Sequence, residues 1–269
     1  MSDKPVLIII VPCYNEEAVL PRAAECLAEK IRQLVSLQLI SRQSALLFVD
    51  DCSSDNTWTL IEKYHGDSPL LFNGIRLPAN RGQQAALFCG LLSVKDYADA
   101  AVSIDADLQD DIEAIDKMLE LFLSGYEIVM GVRSGRESDS FFKRTGALFF
   151  YRFMRLLGAN LADNHADFRL MGREAIKALA KYNGTTLFLR GIVPALGYKT
   201  GTVYYKRKRR LTGKTKYTVR KMCGLAIDGI FSVGIVGKYL GRLYAKVKRP
   251  PEYCVEKKLL AWESANGTR

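Results

Sequence analysis

"VLIIIVPCYNEE" (residues 6–17) is a short apolar run that breaks at once into a polar cluster. Six consecutive aliphatic residues, Val6 to Val11, read as a strand buried on both faces. The run is too short for a signal peptide and leads straight into polar residues, so no leader is expected. The same pattern recurs along the first half of the chain. Strands are predicted at Val6–Pro12, Ala45–Asp50, Leu70–Leu77, Ala100–Ile104 and Glu127–Gly131. Helical periodicity falls between them, over Glu16–Val35, Ser54–Tyr64, Arg81–Lys95 and Asp111–Ser124. Ser54 or Asp55 is placed to cap the second helix, and Asn80 the third. Short apolar strands alternating with helices imply an α/β fold with a doubly wound, mostly parallel sheet. Ligands of such sheets sit beyond the carboxyl ends of the strands. The polar clusters fall there: "PCYNEE" after the first strand, "DDCSSDNT" after the second, "DADLQDD" after the fourth and "VRSGRESD" after the fifth. One such cluster is a loop; four in the same place imply a site.

The fourth cluster, "IDADLQDD" (104–111), concentrates negative charge at the end of a buried strand. Like charges that close resist burial unless something positive lies among them. Asp105 and Asp107, on either side of Ala106, are suited to one hard cation such as Mg²⁺ or Mn²⁺, with Gln109 as a further oxygen donor. A D-x-D triplet alone is weak, and a solvated helix start is the bland alternative. Asp110 and Asp111 suit that alternative, beside the positive end of the next helix.

Length and composition imply one large domain, or one with an appendage. The 269 residues carry a net charge of +10, divided unevenly. Residues 1–138 hold 12 Lys/Arg against 21 Asp/Glu, and residues 139–269 hold 27 against 8. The basic half suits a phosphate-rich partner or an anionic membrane surface. No nucleic-acid module is recognisable, so nucleic acid is not expected as a partner. The six cysteines form no C-x-x-C pair and there are two histidines, which argues against zinc or disulfides and for a reducing cytoplasm. No run reaches the roughly 18 apolar residues of a membrane span.

Within the basic half, "SFFKRTGALFFYRFMRLLG" (140–158) reads as an amphipathic helix, either packed on the core or lying in a membrane interface. Residues 206–221 hold nine Lys/Arg, as a solvated loop or as a phosphate or anionic-lipid site. "GLAIDGIFSVGIVGKYLGRLY" (224–244) is glycine-rich and apolar but interrupted by Asp228 and Lys238.

"IVPCYNEE", "FVDDCSSDNTW", "NRGQQAAL" and "IDADLQD", in this order and spacing, resemble the family 2 glycosyltransferases of GT-A fold. "ADFRLMGREA" and "RRLTGKTKY" look like the polyisoprenyl-phosphate branch, which contains dolichol-phosphate mannose synthase and bactoprenol glucosyltransferases. The resemblance covers roughly residues 5–221. It implies a GT-A catalytic domain over 1–222 and a juxtamembrane-like tail over 223–269, with C-terminal amphipathic helices. It implies transfer of a hexose from a nucleotide diphosphate sugar, UDP-glucose foremost, to a polyprenyl phosphate with inversion. Pro12, Tyr14, Asn15 and Glu16 match the family's nucleotide-binding loop. Asp50 and Asp51 match its acidic pair near base and ribose, and Gly82 and Ala85 the helix start under the nucleotide. Asp105, Ala106, Asp107 and Gln109 match the diphosphate–metal triplet. Arg133, Arg136, Arg169 and Arg210, backed by Lys143 and Lys216, are candidates to seat the acceptor phosphate, since guanidinium groups match phosphate oxygens. Asp167 is a base or sugar-positioning group, or else a structural partner of Arg169.

In bactoprenol-type relatives two membrane helices precede a segment like "GIVGKYLGRLYAKVKRPPEYCVEKK". Here the spans look absent, with the join near Ser232–Val233. The resemblance thus implies a protein peripheral to the cytoplasmic face of a membrane, in a group that often forms homo-oligomers. Two other readings are a family 2 transferase with a soluble or protein acceptor and a non-catalytic sugar-nucleotide-binding scaffold.

Overall fold

The computed structural model describes residues 4–134, 165–181, 189–207 and 255–262. Their strands form a single eight-stranded sheet: β1 (Leu7–Cys13), β2 (Ala45–Asp50), β3 (Phe72–Arg76), β4 (Ala100–Ser103), β5 (Ile128–Arg133), β6 (His165–Gly172), β7 (Thr200–Tyr205) and β8 (Lys257–Leu259). The order across the sheet is β7-β5-β6-β4-β1-β2-β3-β8. Six strands run one way; β6 is antiparallel to β4 and β5, and β8 is antiparallel to β3. The strand order reverses between β1 and β4, which pair in parallel, and this switch opens the crevice where α/β sheets bind ligands.

Helices cover both faces. On one face lie α1 (Leu20–Ser36), α2 (Thr57–Asp67) and α4 (Ala114–Leu123), against Leu7, Ile9 and Val11. On the other lie α3 (Gln83–Val94), α5 (Arg173–Ala180) and α6 (Leu189–Ala195), against Ile8 and Ile10. Alternate residues of β1 therefore serve opposite layers, so all are aliphatic. In α1 the buried apolar residues Leu20, Ala23, Ala24, Leu27, Ala28, Ile31 and Leu34 trace a single face. In α3 the run Ala85–Leu91 is buried without a break. It is sandwiched between sheet and α5, and a Cβ on Gly90 would stand 2.7 Å from Ile10.

All five predicted strands and four predicted helices are present, with ends displaced by up to four residues. The capping expectations need correction. Asn80 does not cap α3, whose cap position is Gly82. The α2 cap position is Asn56, though Asp55 accepts the Thr57 N–H at 3.0 Å. Asp110 does not start a helix either: α4 begins at Ala114, and Asp110 is turned inward. The predicted helix at 140–158, the basic loop from 208 onward and the join at Ser232–Val233 lie outside the described residues. Among the described residues no helix is long and apolar enough to cross a membrane.

Candidate active site

The loops after β1 and β2 are laced together. Asn15 N–H donates to Ser53 Oγ at 2.9 Å, Glu16 N–H to Thr57 Oγ1 at 2.8 Å and Glu17 N–H to Asp55 Oδ2 at 3.1 Å. In return, Ser54 N–H donates to Asn15 Oδ1 at 2.8 Å and Asn56 N–H to Glu17 Oε2 at 3.0 Å. Two loops that end neighbouring parallel strands thus satisfy each other's backbone. Asn15 and Cys52 hold positive φ values of 52° and 59°, and Leu108, in the loop after β4, one of 50°. Such conformations cost energy in non-glycine residues and cluster at functional sites.

Asp51 clasps the loop leading into α3. Its two carboxylate oxygens accept the Arg81 and Gly82 N–H groups, each at 2.7 Å. Gly82 sits at φ 89°, where an L side chain is strained even in the open space around it. Asp50, fully buried, accepts the Ser53 N–H at 3.1 Å, closing its own turn. Burial pushes both carboxyls above the usual range, against the pull of these N–H donors. The acidic pair therefore braces the turn after β2 and ties it to the loop leading into α3. Pro12 is half-buried near the end of β1, Tyr14 is 39% exposed above it, and Ala85 is buried in the first turn of α3.

The loop after β4 carries the charge. Asp105 lies within reach of Asp110, Asp167 and Asp107, and enclosure together with these carboxylates pushes its pKa up to about 7. Gln83 Nε2 donates to Asp105 Oδ1 at 2.6 Å. Asp110 is 2% exposed; it accepts the Tyr205 hydroxyl at 2.6 Å and Arg133 Nη2 at 3.2 Å. Tyr205 is pushed far above its usual phenol range by burial and by Asp110, so it acts as a donor. Asp107 accepts the Gln109 N–H at 3.1 Å, Gln109 is buried, and Ala106 between the aspartates is buried as well.

The reversed strand β6 delivers its first residues to this same rim. Asp167 Oδ1 takes Arg169 Nη2 at 2.8 Å, and Oδ2 takes Gln84 Nε2 at 3.0 Å. Ser103 Oγ donates to the Asp167 carbonyl. Arg169 is 1% exposed and donates to the Leu189 carbonyl at 3.2 Å, so it faces inward and orients Asp167. Of the basic residues expected at the acceptor seat, Arg133 is part of the centre and Arg169 lies beneath it. Arg136, Lys143, Arg210 and Lys216 lie outside the described residues. Gln83, Gln84, Asp110 and Tyr205 escaped sequence reasoning. For Tyr205 a signal existed in the alternation of "TGTVYY" (200–205), which marks a strand ending at the rim.

Asp105 and Asp107 are hard oxygen donors, and the carboxylate crowding at Asp105 is what a divalent cation relieves. The residues thus fit Mg²⁺ or Mn²⁺ held jointly with ligand phosphates. Among the described residues no three His, Cys, Asp or Glu side chains group as a metal site by themselves.

A family model described as "Glycosyl transferase family 2" matches residues 8–180. The chain is 38% identical to an uncharacterized glycosyltransferase, YkoT, of Bacillus subtilis (strain 168), over 312 residues spanning 95% of this chain and 92% of that protein. It is 32% identical to a prophage bactoprenol glucosyl transferase homolog of Escherichia coli (strain K12), over 89% of this chain and 77% of that protein. In three dimensions it is similar to glucosyl-3-phosphoglycerate synthase of Mycobacterium tuberculosis, solved with Mn²⁺, UDP-glucose and phosphoglyceric acid. The TM-score is 0.51 at 15% identity, over 84% of this chain and 78% of that one, a likeness of fold.

Proposed function

The chain belongs to glycosyl transferase family 2, and on that premise we propose that it moves a hexose from a nucleotide diphosphate sugar, UDP-glucose foremost, to a polyprenyl phosphate. The observation that carries the reading is the meeting of laced donor loops with the Asp105–Asp107 carboxylates at the β1/β4 switch. Relatives named for bactoprenol glucosyl transfer support the acceptor and the sugar. So does the surplus of 27 Lys/Arg over 8 Asp/Glu after residue 138.

In this reading the loops after β1 and β2 hold the nucleotide, with Tyr14 beside it. Asp105 and Asp107 would hold Mg²⁺ or Mn²⁺, whose contribution is to neutralise charge on the diphosphate leaving group. The bond from the anomeric carbon to the diphosphate oxygen breaks as a bond to an acceptor phosphate oxygen forms, which inverts the centre. The acceptor is already anionic and brings its own lone pair, so positioning matters more than proton removal. Asp167, pinned by Gln84 and Arg169, then serves to orient the sugar. Arg133 faces the reacting phosphates, with Arg136, Arg210 and Lys216 as further members of the seat.

We also propose that the protein works peripherally on the cytoplasmic face of an anionic membrane, a reading that the basic composition after residue 138 supports. Flotation with anionic liposomes at rising salt tests the docking; binding indifferent to both lipid charge and salt sinks it.

Incubation with labelled UDP-glucose, Mn²⁺ and a detergent-dispersed polyprenyl phosphate tests the function. A glycolipid of the expected mass is the predicted product. Turnover with a soluble acceptor and none with the lipid overturns the acceptor assignment.

A further inference from the structure

The C-terminal strand β8 begins beside Arg76, at the carboxyl edge of the sheet where the loops after β1 and β2 lie. It pairs with β3 in the register Arg76↔Lys257, Ile75↔Lys258 and Gly74↔Leu259. Glu256 N–H donates to the Arg76 carbonyl at 2.8 Å, and Ala261 N–H donates to Asn73 Oδ1 at 2.8 Å. Leu260 and Trp262 are buried in the core, with Trp262 stacked on Tyr97 at 4.8 Å between ring centroids. Backbone pairing, a side-chain hydrogen bond and two apolar anchors hold this short edge strand in a defined register.

That register brings Glu256 to Arg76. Arg76 Nε lies 3.5 Å from Glu256 Oε2 and 3.5 Å from Asp50 Oδ2. Its Nη2 donates to the Ser53 carbonyl at 3.4 Å, and its guanidinium lies 6.0 Å from the centre of the Trp58 ring. Asp50 has no exposed surface, and Arg76 is the cation beside it. A buried carboxylate needs such a partner. Asp50 and Ser53 close the turn after β2, and Ser53 Oγ holds the Asn15 N–H of the first loop. A path of direct contacts therefore runs from Glu256 through Arg76 to the turn that shapes the donor loops.

We propose that Arg76 is a positioning residue for the nucleotide and that Glu256, on the C-terminal strand, sets its position. The donor pocket is thereby completed by a residue lying more than two hundred positions from the loops it serves. This rests on the reading of those loops as the nucleotide site. The contacts of the Arg76 side chain run to Asp50, Ser53, Glu256 and Trp58 and not to the carboxylates after β4, so in this proposal its loss acts on donor binding and leaves the chemical step alone.

The test is titration of the full chain with UDP and, separately, GDP, in parallel with donor kinetics. With whichever nucleotide the wild-type chain binds, Arg76→Gln is expected to weaken binding about tenfold and Glu256→Gln about threefold. Both raise the donor KM in proportion and leave kcat and the acceptor KM within about twofold. Arg76→Lys restores much of the affinity, and the double variant is no worse than Arg76→Gln alone, because the two act on one path. Unchanged nucleotide affinity in Glu256→Gln, additive losses, or a fall in kcat at constant donor KM overturns the inference. Glu256 is partly exposed, so its variant folds even where Arg76→Gln does not. A wild-type chain that binds neither nucleotide overturns the reading of the site itself, and this inference with it.

Discussion

The loops after β1–β3, proposed to hold the donor, and the loop after β4, the proposed centre, lie next to each other at one edge of the sheet and are built on opposite terms. After β1, β2 and β3 the backbone donors find acceptors on the neighbouring loop, and the acidic residues are consumed as braces: Asp51 by Arg81 and Gly82, Asp50 by Ser53 and Arg76. After β4 the carboxylates crowd one another, and Asp105 bears the consequence in its raised pKa. The loops of the first side are thus held by the chain's own groups. The second side crowds carboxylates, a burden that a bound cation would relieve. Preformed geometry beside an unrelieved charge is a division of labour, since binding wants rigidity and catalysis wants a field aimed at the leaving group.

The contrast breaks most readily at Asp107. Asp107→Asn is expected to lower kcat on the order of 10³-fold, the scale of losing one preorganised electrostatic contact. The thermal midpoint should stay put, and normal turnover removes the cation role. On the braced side the cost moves to the fold. Asp51→Ala strips two N–H groups of a charged acceptor, worth about 3 kcal/mol or more. A drop of about 6–12 °C in the melting midpoint should show it, and an unshifted midpoint means that Asp51 braces nothing.

Asp105→Asn should have the opposite sign. With a folded pKa raised to about 7, the ionised carboxylate is disfavoured in the fold, so its burden is absent in acid and grows as pH rises from the ordinary carboxylate range to about 7. In chelator-treated protein the variant should melt about 2–4 °C higher at pH 8. The gain should vanish toward pH 4, even as transfer is lost. A variant less stable at pH 8 refutes the crowding. Smallest is Tyr205→Phe, which removes the hydroxyl's hydrogen bond to Asp110 and the long one it accepts from Arg133 Nε at 3.3 Å, and leaves the Arg133–Asp110 pair in place. It should cost about 1 kcal/mol by denaturant titration and a few-fold in kcat. A hundredfold loss assigns Tyr205 a direct part in the reaction.

The two regions also differed in legibility. Apolar runs ending in polar clusters revealed the first five strands and the loops after them, because hydrophobic periodicity and turn chemistry are local. The bracing role of Asp51 was hidden, since its partners are backbone groups 30 residues away in another loop. Asp110 reads locally as a helix start, and only contacts with Tyr205 and Arg133, from two other strands, draw it inward. The direction of β6 is likewise a property of pairing. Reversal is what turns Asp167 and Arg169 from neighbours in sequence into a carboxylate at the rim and a cation beneath it. The strand β8, three residues long, carries too little pattern to announce itself.

The two reversed strands have a further consequence in how the chain is routed. β5 ends at Arg133 and β6 begins at His165, both at the carboxyl edge of the sheet, because the pair is antiparallel. β7 ends at Tyr205 on that edge, and β8 enters beside Arg76 on it too. The described chain therefore breaks off and resumes at one edge of the sheet, on either side of the sequence stretches 135–164 and 208–254. Together they contain 17 Lys/Arg against 5 Asp/Glu. The topology acts as a sorting rule: sequence added between β5 and β6, or between β7 and β8, is joined at both ends to the sheet edge that carries the loops after β1, β2 and β4.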